Sequence, residues 1–177
     1  NYQLKNSFKN VANCHKAPGN LFIKTLLPIE EIKPGLLSAI SALELFTPGL
    51  KIIFTVSTVK HIKDGLAENN RSKARLIEIA HAVSEEKENV FYFPSYELVT
   101  DVLRDYRFYK TDFVHPNDEA VNFVFKKFCE NLLDESSKDI MAEINKILYA
   151  SNHKPFIKES VAHQKFIAAQ LNNIKKI

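Results

Sequence analysis

Lys51-Ile52-Ile53-Phe54-Thr55-Val56, a polar stretch from Ser57 to Gly65, helical spacing over residues 68–87, and then Asn89-Val90-Phe91-Tyr92-Phe93 before Pro94 decide the fold. The two short runs are rich in β-branched and aromatic residues, the pattern of strands, and the first is nearly continuous in apolar character, which predicts burial on both faces. Between them Ala74, Ile77, Ala80 or His81, and Val83 share one helical face, and Glu85, Glu86, Lys87 and Glu88 cover the exposed end. A strand, a helix of about five turns and a second strand make a βαβ unit, whose strands run parallel.

Working outward, Lys33-Pro34-Gly35-Leu36 opens an earlier helical pattern with Leu36, Leu37, Ile40, Leu43 and Leu45 or Phe46 on one face, and Thr47-Pro48-Gly49 ends it. Beyond Pro94, Ser95 is a good N-cap for a helix to about Arg104. Asn117 caps another to about Leu133, and two more follow Ser137 and Lys158. Two parallel strands do not make an independent sheet, so further strands are expected from residues preceding Asn1. The only methionine is Met141, which also reads as processing or truncation.

Composition narrows the function. The chain has 177 residues with only 4 glycines, Gly19, Gly35, Gly49 and Gly65, so no glycine-rich phosphate cradle or dinucleotide fingerprint is present. Its 45% hydrophobic content suits one globular core. The net charge of +3 divides into +4 over residues 1–65 and −1 over 66–177, and the four arginines form no basic stripe, which argues against nucleic-acid binding. No apolar run reaches membrane-spanning length and no signal peptide is visible, so a cytoplasmic location is favoured. Cys14 and Cys129 form neither a CxxC pair nor a disulfide framework, and a reducing compartment follows. Cys14-His15, His81, His153 and His163 lack metal-ligand spacing, and no cofactor is called for.

Ligands of open parallel sheets sit beyond the carboxyl ends of the strands, which singles out Ser57-Thr58-Val59-Lys60-His61 and Pro94-Ser95-Tyr96-Glu97. Ser57 is equally suited to satisfying loop backbone, Ser95 to capping, and His61 to surface packing. The sharper pattern is Asp112-Phe113-Val114-His115-Pro116-Asn117. An Asp three residues before a His folds back on a tight turn to accept the imidazole Nδ1–H. Nε2 is then left to take a proton from a nucleophile, while the carboxylate stabilises the imidazolium. Pro116 holds His115 extended. No serine is flanked by the glycines of a G-x-S-x-G nucleophile turn.

The strings Val11-Ala12-Asn13-Cys14-His15-Lys16, Lys51 through Gly65, Glu68-Asn69-Asn70-Arg71-Ser72-Lys73-Ala74, Tyr92-Phe93-Pro94-Ser95-Tyr96-Glu97, Asp105-Tyr106-Arg107-Phe108-Tyr109 and Asp112-Phe113-Val114-His115-Pro116 together resemble the bacterial GSCFA domain family. That family is similar to SGNH (GDSL-type) hydrolases. The resemblance implies a three-layer α/β/α fold with a parallel sheet, of which this chain would be a C-terminal portion: one partial domain over 1–177, with an α/β core to about 133 and a helical extension from about 134. It also implies acyl-ester hydrolysis, on O-acyl groups of carbohydrate or envelope material, with His115 as general base and Asp112 as its orienter. The nucleophile would be the serine of a Gly-Ser-Cys-Phe-Ala motif upstream of this chain. Ser57, His61, Asn70 and Arg71 match family strings as substrate-binding candidates, with no role assigned. Thr58 stands where the family has proline, and Asn117 where serine often follows His-Pro. An O-acyltransferase on the same site and a non-catalytic binding or scaffold domain remain the alternatives.

Overall fold

The computed structural model describes residues 2–11, 17–157 and 159–175. It divides into two compact units, Asn1–Val124 and Phe125–Ile177. The architecture is mixed α/β.

The first unit begins with an antiparallel sheet of three short strands, β1 (Tyr2–Leu4), β2 (Asn10–Val11) and β3 (Phe22–Lys24), in the order β2-β1-β3. The sequence pattern did not signal it: strands of two or three residues carry too little periodicity to stand out. Helix α1 (Ile29–Phe46) follows, then β4 (Ile52–Phe54), α2 (Leu66–Glu86) and β5 (Val90–Tyr92). Strands β4 and β5 pair in parallel with Ile52 opposite Val90, Ile53 opposite Phe91 and Phe54 opposite Tyr92, which is the expected βαβ unit.

The core of this unit joins Ile40 of α1, Ile79 and Val83 of α2 and Val90 of β5, with Ile29, Ile32, Leu36, Leu37, Ile52 and Phe54 packed around them. The reading of the first strand as buried on both faces is corrected. Its side chains alternate, and Ile53 (40% exposed) and its register partner Phe91 (42%) share the outward face. The period of two within three residues wins over the apolar run.

Helix α1 starts four residues before the expected Lys33 and carries Pro34 inside it, Pro28 standing at its N-cap. Its inward stripe, Ile29, Ile32, Leu36 and Ile40, begins ahead of the proline, and packing this stripe outweighs the N–H that proline lacks. At the other end Leu43, Leu45 and Phe46 are exposed, against expectation. The inward position there belongs to Glu44, whose carboxylate takes Lys87 Nζ at 2.9 Å and Asn89 Nδ2 at 2.8 Å. Thr47-Pro48-Gly49-Leu50 closes as a turn, Leu50 N–H donating to Thr47 O at 3.2 Å with Gly49 at φ 77°. Proline then glycine at its centre is type II turn chemistry.

After β5 comes a single α-turn, α3 (Ser95–Glu97), running into a wider π-type turn over Leu98–Leu103 and ending at Arg104 in the left-handed region, φ 56°. Helix α4 (Asp118–Leu132) starts where expected, Asn117 Oδ1 accepting the Ala120 N–H at 3.1 Å, and it passes from the first unit into the second. In the second unit α5 (Glu135–Ser151) begins before the expected Ser137, because Asp134 is the cap: its Oδ1 accepts the Ser137 N–H at 2.7 Å. Helix α6 (Val161–Ile174) is capped by Ser160, while Lys158, the expected start signal, lies outside the described residues. Among the described residues no helix is long and apolar enough to cross a membrane.

Candidate active site

A short 3-10 turn, Tyr106–Phe108, leads into the loop that carries Asp112 and His115. The loop is closed by a bridge between Tyr109 and Pro116, by Lys110 N–H donating to His115 O at 2.7 Å, and by Phe113 N–H donating to Lys110 O at 2.9 Å. Phe113 takes a left-handed backbone, φ 57°, so that the chain reverses within four residues.

The Asp112 carboxylate organises this reversal. Oδ1 accepts the backbone N–H groups of Val114 (2.8 Å) and His115 (3.0 Å), and Oδ2 lies 2.7 Å from His115 Nδ1. The backbone N–H of His115, then that of Val114, then the His115 ring hold the Asp112 carboxyl down at about 2 from its ordinary 3.8. A group ionised throughout the neutral range only accepts hydrogen bonds, so Nδ1 carries the proton toward it and the neutral ring keeps its lone pair on Nε2. Among the described residues no hydrogen bond is made to Nε2, and the His115 side chain is 52% exposed. Such a ring is able to take a proton from an incoming hydroxyl and return it to a leaving group.

The loop after β4 meets this turn. Lys60 N–H donates to Val114 O at 3.2 Å, and the Lys60 ammonium lies 4.7 Å from the centre of the Tyr106 ring and 4.1 Å from that of Tyr109. Ser57, the first residue of this stretch, is exposed, and its Oγ accepts the Val59 N–H at 3.3 Å, a local loop role. His61 is bound through its backbone, N–H to Asn69 Oδ1 at 2.9 Å. The residue lines a cleft of about 370 Å³ with Tyr2, Lys24, Asp64, Glu68 and Ser72, to which Asp112 and His115 do not contribute. Asn70 supports Asn69, accepting from its Nδ2 at 3.1 Å. Arg71 pairs with Glu68 one turn away on the exposed side of α2, at 2.7 Å. The structure thus brings the Ser57–His61 stretch and the Asp112–His115 turn together through Lys60, while Arg71 is held by Glu68.

Ser95 does not cap. Pro94 occupies the N-cap, and the Ser95 hydroxyl instead donates to Val56 O at 3.0 Å and contacts the Thr55 hydroxyl, tying the carboxyl end of β4 to that of β5. A proline at the cap offers no side-chain acceptor, so the serine is free to span between the strands.

Two residues under the site were not anticipated. Asn69 (4% exposed) and Lys73 (3%) are buried on α2 in line with Ala80 and Val83, where Ala74 was expected. Lys73 Nζ donates to Ser57 O, and burial pushes its ammonium pKa below 10.5. The signal lay in the spacing 69, 73, 80, 83: one helical stripe, whose first half is polar because it holds a loop rather than a core.

The α/β unit thus presents an Asp–His pair on a turn that is bonded to the loop leaving its first parallel strand. The chain matches the GSCFA family over residues 1–128 and the C-terminal domain of GSCFA domain proteins over residues 144–177, and it belongs to the GSCFA family. These matches take in more than the C-terminal portion expected from the sequence strings. No curated protein and no solved structure matches the chain. Residues 12–16, which carry Cys14 and part of the first family string, lie outside the described residues.

Proposed function

We propose that the chain supplies the acid–base half of an SGNH-like serine ester hydrolase acting on O-acyl groups of carbohydrate or envelope material. The observation that carries the reading is the Asp112 carboxylate at 2.7 Å from His115 Nδ1 with Nε2 left open. In this mechanism Nε2 takes the proton of a serine hydroxyl as its oxygen adds to the ester carbonyl, and Asp112 stabilises the imidazolium. Collapse of the tetrahedral intermediate expels the alcohol, which receives that proton. Water then repeats the sequence, releasing the acid and restoring the serine. Ser95 donates its hydroxyl to Val56 O, Ser57 Oγ accepts the Val59 N–H, and neither is bonded to His115, so the nucleophile in this reading comes from elsewhere in the complete protein.

His115→Ala in the complete protein is expected to abolish hydrolysis of 4-nitrophenyl acetate. Full activity in that variant would remove His115, and the esterase reading with it.

A further inference from the structure

Beside the Asp112–His115 pair stand two aromatic rings that the fold leaves in solvent. Phe113 lies between the two residues of the pair and is 57% exposed. Tyr106, on the turn that leads into the loop, is 60% exposed. Their centres are 5.5 Å apart and their planes cross at 85°, an edge-to-face arrangement of two exposed rings that makes an open corner. Phe113 holds its place with a left-handed backbone, a conformation that costs a non-glycine residue about 1–3 kcal/mol. Burial of the ring does not offset that cost, since more than half of the residue faces water. The Lys60 ammonium lies over the Tyr106 ring, 4.7 Å from its centre, so a cation stands beside the corner.

We propose that Phe113 and Tyr106 form a stacking subsite for a sugar ring of the acylated substrate, a step that rests on the esterase reading above. The two walls have the chemistry of a pyranose. Its C–H-lined faces pack on aromatic rings, and its hydroxyls find the Lys60 ammonium and the Tyr106 hydroxyl at the rim. A long acyl chain is served by an enclosed apolar tunnel, whereas an open corner suits a ring with one apolar face and a hydrated edge. Phe113 belongs to the same four-residue turn as the base, so a sugar stacked on it brings its own ester oxygens toward His115. Phe113 is then a specificity residue, and its strained backbone is the means of presenting it.

The 177-residue chain contains no tryptophan, which permits a direct test. Phe113→Trp places a single reporter in the corner, and the full chain carrying it is titrated with xylotetraose and with chitotetraose. The expected result is a saturable shift in emission with at least one of the two sugars. Adding Tyr106→Ala should weaken that sugar's affinity about tenfold, the scale of one aromatic contact, whereas adding His115→Ala should leave the shift in place. No shift with either sugar overturns the subsite. If wild-type hydrolysis of 4-nitrophenyl acetate by the complete protein still depends on His115, the esterase reading stands without it. A sugar-dependent shift alongside His115-independent hydrolysis keeps the subsite and removes the esterase reading. Should the tryptophan variant fail to fold, titration of the wild-type chain decides by the same standard: movement of the Val114 and His115 amide resonances with sugar supports the subsite, and unmoved resonances overturn it.

Discussion

The backbone N–H of Lys60 donates to the carbonyl of Val114 at 3.2 Å, one residue short of His115, and this bond joins the loop after β4 to the turn that holds the proposed base. The same residue extends its ammonium over Tyr106 and Tyr109. Lys60→Met keeps the backbone donor and loses only the cation–π contacts, so its denaturation midpoint should correspond to a loss of about 0.5–1 kcal/mol. Lys60→Pro removes the donor and leaves Val114 O unpaired. Faster hydrogen exchange at Lys110 and His115 should appear in the proline variant and not in the methionine variant.

Acid separates the two roles of Asp112. Its folded carboxyl titrates at about 2 against an ordinary 3.8, so its contribution to stability is complete above 3.8 and is lost as pH falls through about 2. The carboxyl ¹³C shift of Asp112 should titrate in that window. In His115→Ala most of the depression should persist, because the backbone N–H groups of residue 115 and Val114 contribute before the ring does. A return to 3.8 in that variant would mean that the ring, not the turn, holds the carboxylate.

Beneath the loop, Asn69→Ala leaves the His61 N–H without its acceptor and should cost about 1–3 kcal/mol, with loss of exchange protection at His61. Lys73 carries the opposite signature. Its folded pKa lies below 10.5, so the unfolded chain binds the proton more readily and stability should rise as pH climbs toward 10.5. In Lys73→Met that rise should flatten, which urea midpoints measured across the alkaline range would show.

The two ends of α1 should answer truncation differently. Ile40→Ala opens the core shared with Ile79, Val83 and Val90 and is expected to cost about 2–5 kcal/mol. Phe46→Ala removes a larger side chain from the exposed last turn and should stay within about 0.5 kcal/mol. Thermal midpoints of the two variants make the comparison.

The parts of this structure that local chemistry governs were readable from the sequence. The parallel βαβ unit follows from a change of period, the cap of α4 from Asn117, and the Asp112–His115 contact from a three-residue spacing that a single turn closes. What tertiary packing decides was not readable. Pro34 sits inside α1 because the stripe ahead of it reaches the core, and Lys73 is buried because the carbonyl of Ser57 stands above it. Ser95 abandons the cap for Val56, a residue 39 positions away that no local rule connects to it. The N-terminal strands are too short to announce themselves, and their pairing with one another is what defines them.

Asp112 divides its oxygens: one closes the chain reversal and the other holds the imidazole. Any replacement of the carboxylate therefore disturbs the shape of the turn and the state of the ring in one stroke, and a defective variant at this position would not tell the two apart. In the proposed mechanism, chemistry is cleanly silenced only from the far side, at His115, where the side chain can go while its N–H still binds the same carboxylate. Within that mechanism the histidine is the switch and the aspartate is part of the frame.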